Sequence, residues 1–188
     1  LRPCLFEYIY FSRPDSILEG RNVYDVRKSI GHQLAAENPN DNEIIDVVIP
    51  IPDSGNASAL GYSEKIKKPF EFGIIRNHYT GRTFIEDSIS VRNLSVKLKH
   101  NPNIFSFKDK SIALVDDSIV RGTTSVKIVE MLRNCGVKKI HMRIASPPVK
   151  HPCFYGIDTP TKEELLASKF TIDQIKKYIG ADLSLIHI

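Results

Sequence analysis

The chain has 188 residues, 41% hydrophobic and 26% charged, with a formal net charge of +4 at pH 7. That length predicts one core-bearing domain. No apolar run reaches membrane-spanning length, no signal-peptide pattern opens the chain, and no repeat or low-complexity tract is present. Three cysteines, Cys4, Cys135 and Cys153, are too few and too scattered for a disulfide framework, so a reducing cytoplasm is expected. The modest positive charge suits a small polyanion. No basic run, helix-turn-helix or aromatic RNA-binding signature points to nucleic acid.

In chain order, Phe6, Tyr8 and Tyr10 alternate with Leu5, Ile9 and Phe11, which predicts a strand ending at Pro14. Asn22 is a candidate cap for a helix through Glu37, with Val23, Val26, Ile30 and Leu34 on its inner face. Asn38 to Asn42 reads as a turn and Ile44 to Ile49 as a buried strand. A stiff turn, Pro50-Ile51-Pro52-Asp53-Ser54-Gly55, then opens a helix over Ala57 to Lys67. Its Asp, Ser hydroxyl and flexible Gly55 backbone suit a pyrophosphate or its metal; the alternative is a Pro/Gly connection with no ligand. Phe70 to Ile75 reads as a third strand.

From Arg76 to Asp109 there is no strong period. A connection that long inside one domain is usually functional or disordered. Arg76, Gly81, Arg82, Arg92, Lys97 and Lys99 lie on it. It reads either as a flexible lid closing over an anionic substrate, or as a solvated basic excursion with a short helix near Val91 to Leu98.

The segment Ser111 to Thr124, SIALVDDSIVRGTT, carries the sharpest signal. A short apolar run ends in Asp116 and Asp117. A loop of small and hydroxylated residues follows, with Gly122 at its centre. Val126, Val129 and Leu132 then recur at helical spacing up to Gly136. Ligands of open α/β sheets bind at the carboxyl ends of strands, where a helix N-terminus holds phosphate. Two carboxylates beside that site would repel a phosphate unless they bind hydroxyls or a divalent cation. The combination suits a phosphorylated sugar with Mg²⁺. It is not a Walker A loop, because no Gly-Lys-Ser/Thr ends it. Lys138 to Ala145 and Cys153 to Ile157 read as further strands and Thr161 to Lys169 as a short helix. Thr171 is a candidate cap for a last helix with Ile172, Ile175 and Ile179 inward and Gly180 as its stop; the tail Ala181 to Ile188 ends without a clear structural stop.

The run LVDDSIVRGTTS resembles the phosphoribosyl-pyrophosphate (PRPP) signature of type I phosphoribosyltransferases. With EYIYFSRPDS (7–16), PIPDSG (50–55), RNHYTGRTFI (76–85) and SPPVKHPCFYGIDT (146–159) in one order, nearly the whole chain resembles the phosphoribosyltransferase domain of the amidophosphoribosyltransferase family. The resemblance implies a type I phosphoribosyltransferase-like α/β fold, a mainly parallel sheet flanked by helices, with a flexible lid. It implies a glycosyltransferase that makes 5-phosphoribosylamine from PRPP and ammonia, supplied by glutamine, at the opening of purine biosynthesis. Asp116 and Asp117 would hold ribose hydroxyls and Mg²⁺. Ser118, Arg121, Gly122, Thr123 and Thr124 would cradle the 5-phosphate. Ser54, with Asp53 and Gly55, would approach the pyrophosphate and its metal, and Arg76 and Arg82 would act on the leaving group from the lid. Purine nucleotides as feedback inhibitors and a homo-oligomer are also implied, with neither nucleic acid nor membrane as partner.

The family carries a glutaminase domain with a terminal cysteine. The chain starts without Met inside the phosphoribosyltransferase half, so residues 1–188 read as that domain alone, with the glutaminase domain and the C-terminal tail outside it. Cys4 and Cys153 match positions that ligate a 4Fe–4S cluster in some members; two further ligands would lie beyond this chain. The family usually has Lys at Arg76 and Arg at His78, changes that alter the geometry of one charge and weaken the other near neutral pH. Two other classes are weighed against this reading: a phosphoribosyltransferase-like regulator that senses PRPP or a purine without catalysis, and a transferase to a free base. The former lacks a visible nucleic-acid module here, and the latter an evident base-recognition hood.

Overall fold

In this computed structural model the described residues are 4–77, 100–153 and 161–186. Glu7–Phe11 forms a π-helical turn and not the strand that the aromatic alternation predicts. A strand there would need a sheet edge. Instead Arg27 claims the backbone, its Nε donating to the Tyr8 carbonyl at 2.6 Å and its Nη2 to the Ser12 carbonyl at 2.8 Å. A small hairpin, β1 (Ile17–Leu18) and β2 (Arg21–Asn22), leads into α1 (Val23–Ala36). Asn22 caps it as expected, Oδ1 accepting from the Asp25 N–H at 3.2 Å. The short helix α2 (Asp41–Ile44) replaces part of the expected turn. Then come β3 (Val47–Pro50) and α3 (Asn56–Ile66).

The buried stripe of α1 runs through Val23, Arg27, Gly31, Leu34 and Ala35, leaving Val26 and Ile30 half-buried. The reason is close helix contact. A Cβ on Gly31 would lie 1.9 Å from the Ser58 carbonyl oxygen, and one on Gly61 would lie 2.0 Å from that of Lys28. On propensity alone Gly31→Ala would gain about 1 kcal/mol in a helix. Here it must force α1 and α3 apart, and overpacking costs about 1–3 kcal/mol. The expected outcome in urea denaturation is a lower midpoint at an unchanged slope; a raised midpoint would contradict this packing.

Of the predicted strand Phe70 to Ile75, only β4 (Ile74–Arg76) forms. It pairs antiparallel with β5 (His100–Pro102) in a separate ladder, while Phe70 makes a single bridge to Val48. After β5 comes α4 (Ile104–Phe107), with Phe107 fully buried. Residues 100–107 are therefore anchored structure, a correction to the expectation of an aperiodic lid reaching that far. Residues 78–99, with Gly81, Arg82, Arg92, Lys97, Lys99 and the expected short helix, lie outside the described residues.

The main sheet is parallel, in the order β3, β6 (Ser111–Asp116), β7 (Lys139–Ile144) and β8 (Leu183–Ile186). Helices cover both faces, as sheets built from parallel crossovers require. Val47, Ile49, Ile112, Leu114, Ile140, Met142 and Ile144 pack with residues of α5 (Thr123–Asn134) and α7 (Ile172–Ile179). Val48, Ala113 and Val115 pack with Leu34, Tyr62 and Ile66 of α1 and α3. A 3₁₀ turn at Lys162–Glu164 and α6 (Leu166–Lys169) stand where one short helix is expected. Thr171 caps α7 in a capping box with Gln174, Ile175 and Ile179 are buried, and Gly180 stops the helix at φ +74°. The tail supplies β8, which its sequence does not announce. Of the expected strand Cys153 to Ile157, residues 154–157 lie outside the described residues.

Arg143 points from β7 into the α1/α3 side and is fully buried. Its Nη2 donates to Asp41 Oδ1 at 2.6 Å and its Nε to Asp41 Oδ2 at 2.8 Å. The Tyr62 hydroxyl also donates to Asp41, and Arg143 Nη1 caps the Met142 carbonyl at 3.0 Å. Burial, with the Asp41 carboxylate, raises the Tyr62 pKa above its ordinary value, so Tyr62 stays a neutral donor. This network fastens α2 to the sheet.

Candidate active site

Asp53, Ser54 and Gly55 follow β3, and Asp117 with residues 118–124 follows Asp116 on from β6, at the carboxyl ends of these two neighbouring strands. Asp116 closes β6 and Asp117 follows; they are 9% and 6% exposed. Asp116 Oδ1 accepts from the Asp117 N–H at 2.9 Å, and the Ser118 hydroxyl donates to Asp117 Oδ1 at 2.7 Å. Burial raises the pKa of both carboxyls. The Asp117 charge pushes Asp116 further up, while the Ser118 hydrogen bond and the nearby Ser54 hydroxyl oppose the rise at Asp117. Asp117 Oδ2 is buried with no partner. Carboxylates kept dry, crowded and incompletely satisfied cost the empty fold stability, which is expected of a site built for a ligand.

The loop 118–122 turns at Gly122, φ +76°, a left-handed conformation that also places its α-carbon where a side chain would strike Leu166 and Tyr178. Thr123 and Thr124 then start α5, which has no side-chain cap. The first amides of a helix lack intrahelical acceptors, so this end presents free N–H groups and the positive end of the helix dipole. Arg121 points elsewhere: its Nε donates to Glu164 Oε2 at 2.6 Å, and the Leu166 amide donates to the Val120 carbonyl at 2.9 Å. The 162–169 segment thus braces the loop from outside.

Across from this loop, Gly55 lies so close to β6 that a Cβ would come within 2.6 Å of the Val115 carbonyl oxygen. That approach brings Ser54 to Asp117. Asp53 forms an ion pair with Arg76 at the end of β4, joining two predicted site residues. Arg82 lies outside the described residues. Cys4 is exposed and Cys153 half-buried, and among the described residues no group of three or more His, Cys, Asp or Glu is placed to hold a metal ion.

Arg27 belongs to this neighbourhood and is not singled out by the sequence. It is buried on α1, and its charge acts on Asp117, lowering that pKa. The available signal is weak: Arg27 stands beside Lys28, and only its helical spacing from Val23 and Gly31 sets it on the inner face.

The family model described as Phosphoribosyl transferase domain matches residues 15–146. The chain is 55% identical over 182 residues to an amidophosphoribosyltransferase of Rhizobium etli, covering 96% of this chain and 36% of that protein. It is 51% identical over 181 residues to amidophosphoribosyltransferase 1, chloroplastic, of Arabidopsis thaliana, covering 96% and 31%. Among solved structures it is similar to glutamine PRPP amidotransferase from B. subtilis complexed with ADP and GMP, at TM-score 0.86 and 48% identity, covering 97% of this chain and 40% of that one. The chain spans about a third of the length of these curated relatives. With that match over most of its length, and with strand, acid pair, hydroxyl loop and helix in the order described, the chain belongs to the phosphoribosyl transferase domain family.

Proposed function

We propose that this chain is the phosphoribosyl-transfer unit of an amidophosphoribosyltransferase, in which ammonia displaces pyrophosphate from C1 of PRPP to give 5-phosphoribosylamine, the first step of de novo purine biosynthesis. The observation that carries the reading is the buried, incompletely satisfied acid pair set between an uncapped helix N-terminus and the Asp53–Arg76 pair. Asp116 and Asp117 accept the ribose hydroxyls. The amides at the start of α5, with Ser118, Thr123 and Thr124, hold the 5-phosphate by charge-assisted bonds. Arg76, and Arg82 from the adjoining segment, bring positive charge to the departing pyrophosphate. Ammonia is itself a competent nucleophile, so no side chain need attack C1.

Asp116, Asp117 and Ser54 offer only hard oxygen donors, and Asp117 Oδ2 has no other partner; the set fits Mg²⁺. Bound there, Mg²⁺ would neutralise charge building on the leaving group. The thiols of Cys4 and Cys153 make two of the four needed for a 4Fe–4S cluster, so the described residues do not complete that site and no step runs through it. In a longer protein, glutamine would supply the ammonia and purine nucleotides would inhibit. A cytoplasmic homo-oligomer completes the proposal.

The test is pyrophosphate release from PRPP and Mg²⁺ with different acceptors. Release that depends on ammonium supports the reading. Release that requires a free purine or pyrimidine base, or none with any acceptor, contradicts it.

A further inference from the structure

Three buried oxygen atoms without a hydrogen-bond partner lie past the carboxyl ends of three neighbouring strands: Asn56 Oδ1 after β3, Asp117 Oδ2 after β6 and Ser146 Oγ after β7. A buried polar atom left unpaired costs about 1–3 kcal/mol, and native proteins keep few of them. All three residues follow strands at the carboxyl end of the sheet, the end where ligands of parallel sheets bind.

Ser146 is 2% exposed. Its amide donates to the Asp117 carbonyl at 2.8 Å, one step past the 3.0 Å bond from the Ala145 amide to the Asp116 carbonyl. These two bonds carry the β6–β7 contact beyond its last regular pair, Asp116 with Ile144, and hold the Ser146 backbone beside that of Asp117. Pro147 and Pro148 follow, fixing the backbone beyond it. The carboxylate and amide oxygens of Asp117 and Asn56 accept only, whereas a serine hydroxyl both donates and accepts.

We propose that Ser146 is a further ligand-contacting residue of this site, its hydroxyl meeting an O–H group beside Asp117, either a sugar hydroxyl or a water on the bound cation. The proposal rests on the phosphoribosyl-binding reading and adds to it a residue that follows β7, so that the ends of three adjacent strands supply the site.

The experiment is Ser146→Ala in the intact protein, with thermal melting of the empty form and calorimetric titration by Mg²⁺ alone, ribose 5-phosphate alone and Mg-PRPP. A hydroxyl waiting for a ligand predicts an empty form that melts at the same temperature or higher, with Mg-PRPP affinity reduced about 10-fold. A deficit toward ribose 5-phosphate alone identifies the sugar hydroxyl; a deficit toward Mg²⁺ alone identifies the cation's water. A lowered melting temperature of the empty variant, or wild-type affinity for Mg-PRPP, overturns the proposal. A wild-type protein that binds none of the three probes overturns the phosphoribosyl reading itself.

Discussion

Asp116→Asn is expected to make the empty protein more stable and the site useless. Asp116 and Asp117 are neighbours in the chain, both buried, and each raised in pKa chiefly by burial. A carboxyl whose folded pKa exceeds its unfolded value favours folding while protonated. That advantage disappears as pH rises from the unfolded pKa through the folded one, so above the acid range the buried carboxyls oppose folding. An amide at 116 keeps an oxygen for the Asp117 N–H and removes one charge. The gain should be about 1–2 kcal/mol, read as a melting temperature higher by roughly 2–4 °C per kcal/mol. The acid-to-neutral fall in stability should flatten at the same time. Loss of a charge-assisted bond to ligand costs about 1.5–3 kcal/mol, or roughly 10–100-fold in Mg-PRPP affinity. Calorimetry and melting on the same preparation check both signs. A variant that is less stable, or that binds Mg-PRPP as the wild type does, would remove the acid pair from the site.

Asp41→Asn carries the largest expected stability loss. Arg143 is fully buried and Asp41 nearly so, with two donors of the guanidinium on its two carboxylate oxygens. Breaking a buried pair by removing one charge leaves the other unpaired in the interior, at about 3–5 kcal/mol. For a chain of this size the melting temperature should fall by roughly 10 °C. Joint replacement of both residues, Asp41→Leu with Arg143→Met, should cost much less than the sum of the single changes, since apolar pairs of similar volume often replace buried ion pairs without penalty. Additive losses in that cycle would mean that the two residues do not act as a pair.

The parts of the fold that the sequence makes legible are those where local pattern and tertiary environment agree. Ser111 to Val115 is apolar because both faces of β6 are covered. Gly122 sits where φ is positive, and Thr171 and Gly180 bracket a helix whose caps are local hydrogen bonds. The failures have equally specific causes. Leu5 to Phe11 alternates like a strand, yet long-range bonds from Arg27 on α1 fix it as a helical turn. The inner face of α1 is misplaced by a residue because Gly31, with no side chain to mark it, is the point of closest helix contact. Leu183–Ile186 becomes an edge strand only because β7 is there to pair with it.

The site divides in the same way. Asp116, Asp117, Ser118 and the start of α5 stand together in sequence and in space. Ser54 follows β3 of the parallel sheet, whereas Arg76 ends β4 of the separate antiparallel ladder and is joined to that neighbourhood by its ion pair with Asp53. Arg27 and Ser146 escape notice because each owes its place to a contact between distant segments: Arg27 to the packing of α1, Ser146 to a backbone bond with Asp117.

The most direct test of the central claim, that PRPP binds at the carboxyl ends of β3 and β6, is amide hydrogen exchange with and without Mg-PRPP under conditions that exclude an acceptor. The account predicts that ligand slows exchange at residues 54–56 and 117–124, while amides of α7 and of the β1–β2 hairpin are unchanged. Protection elsewhere with none in those two segments, or identical exchange in both states at saturating ligand, would contradict it.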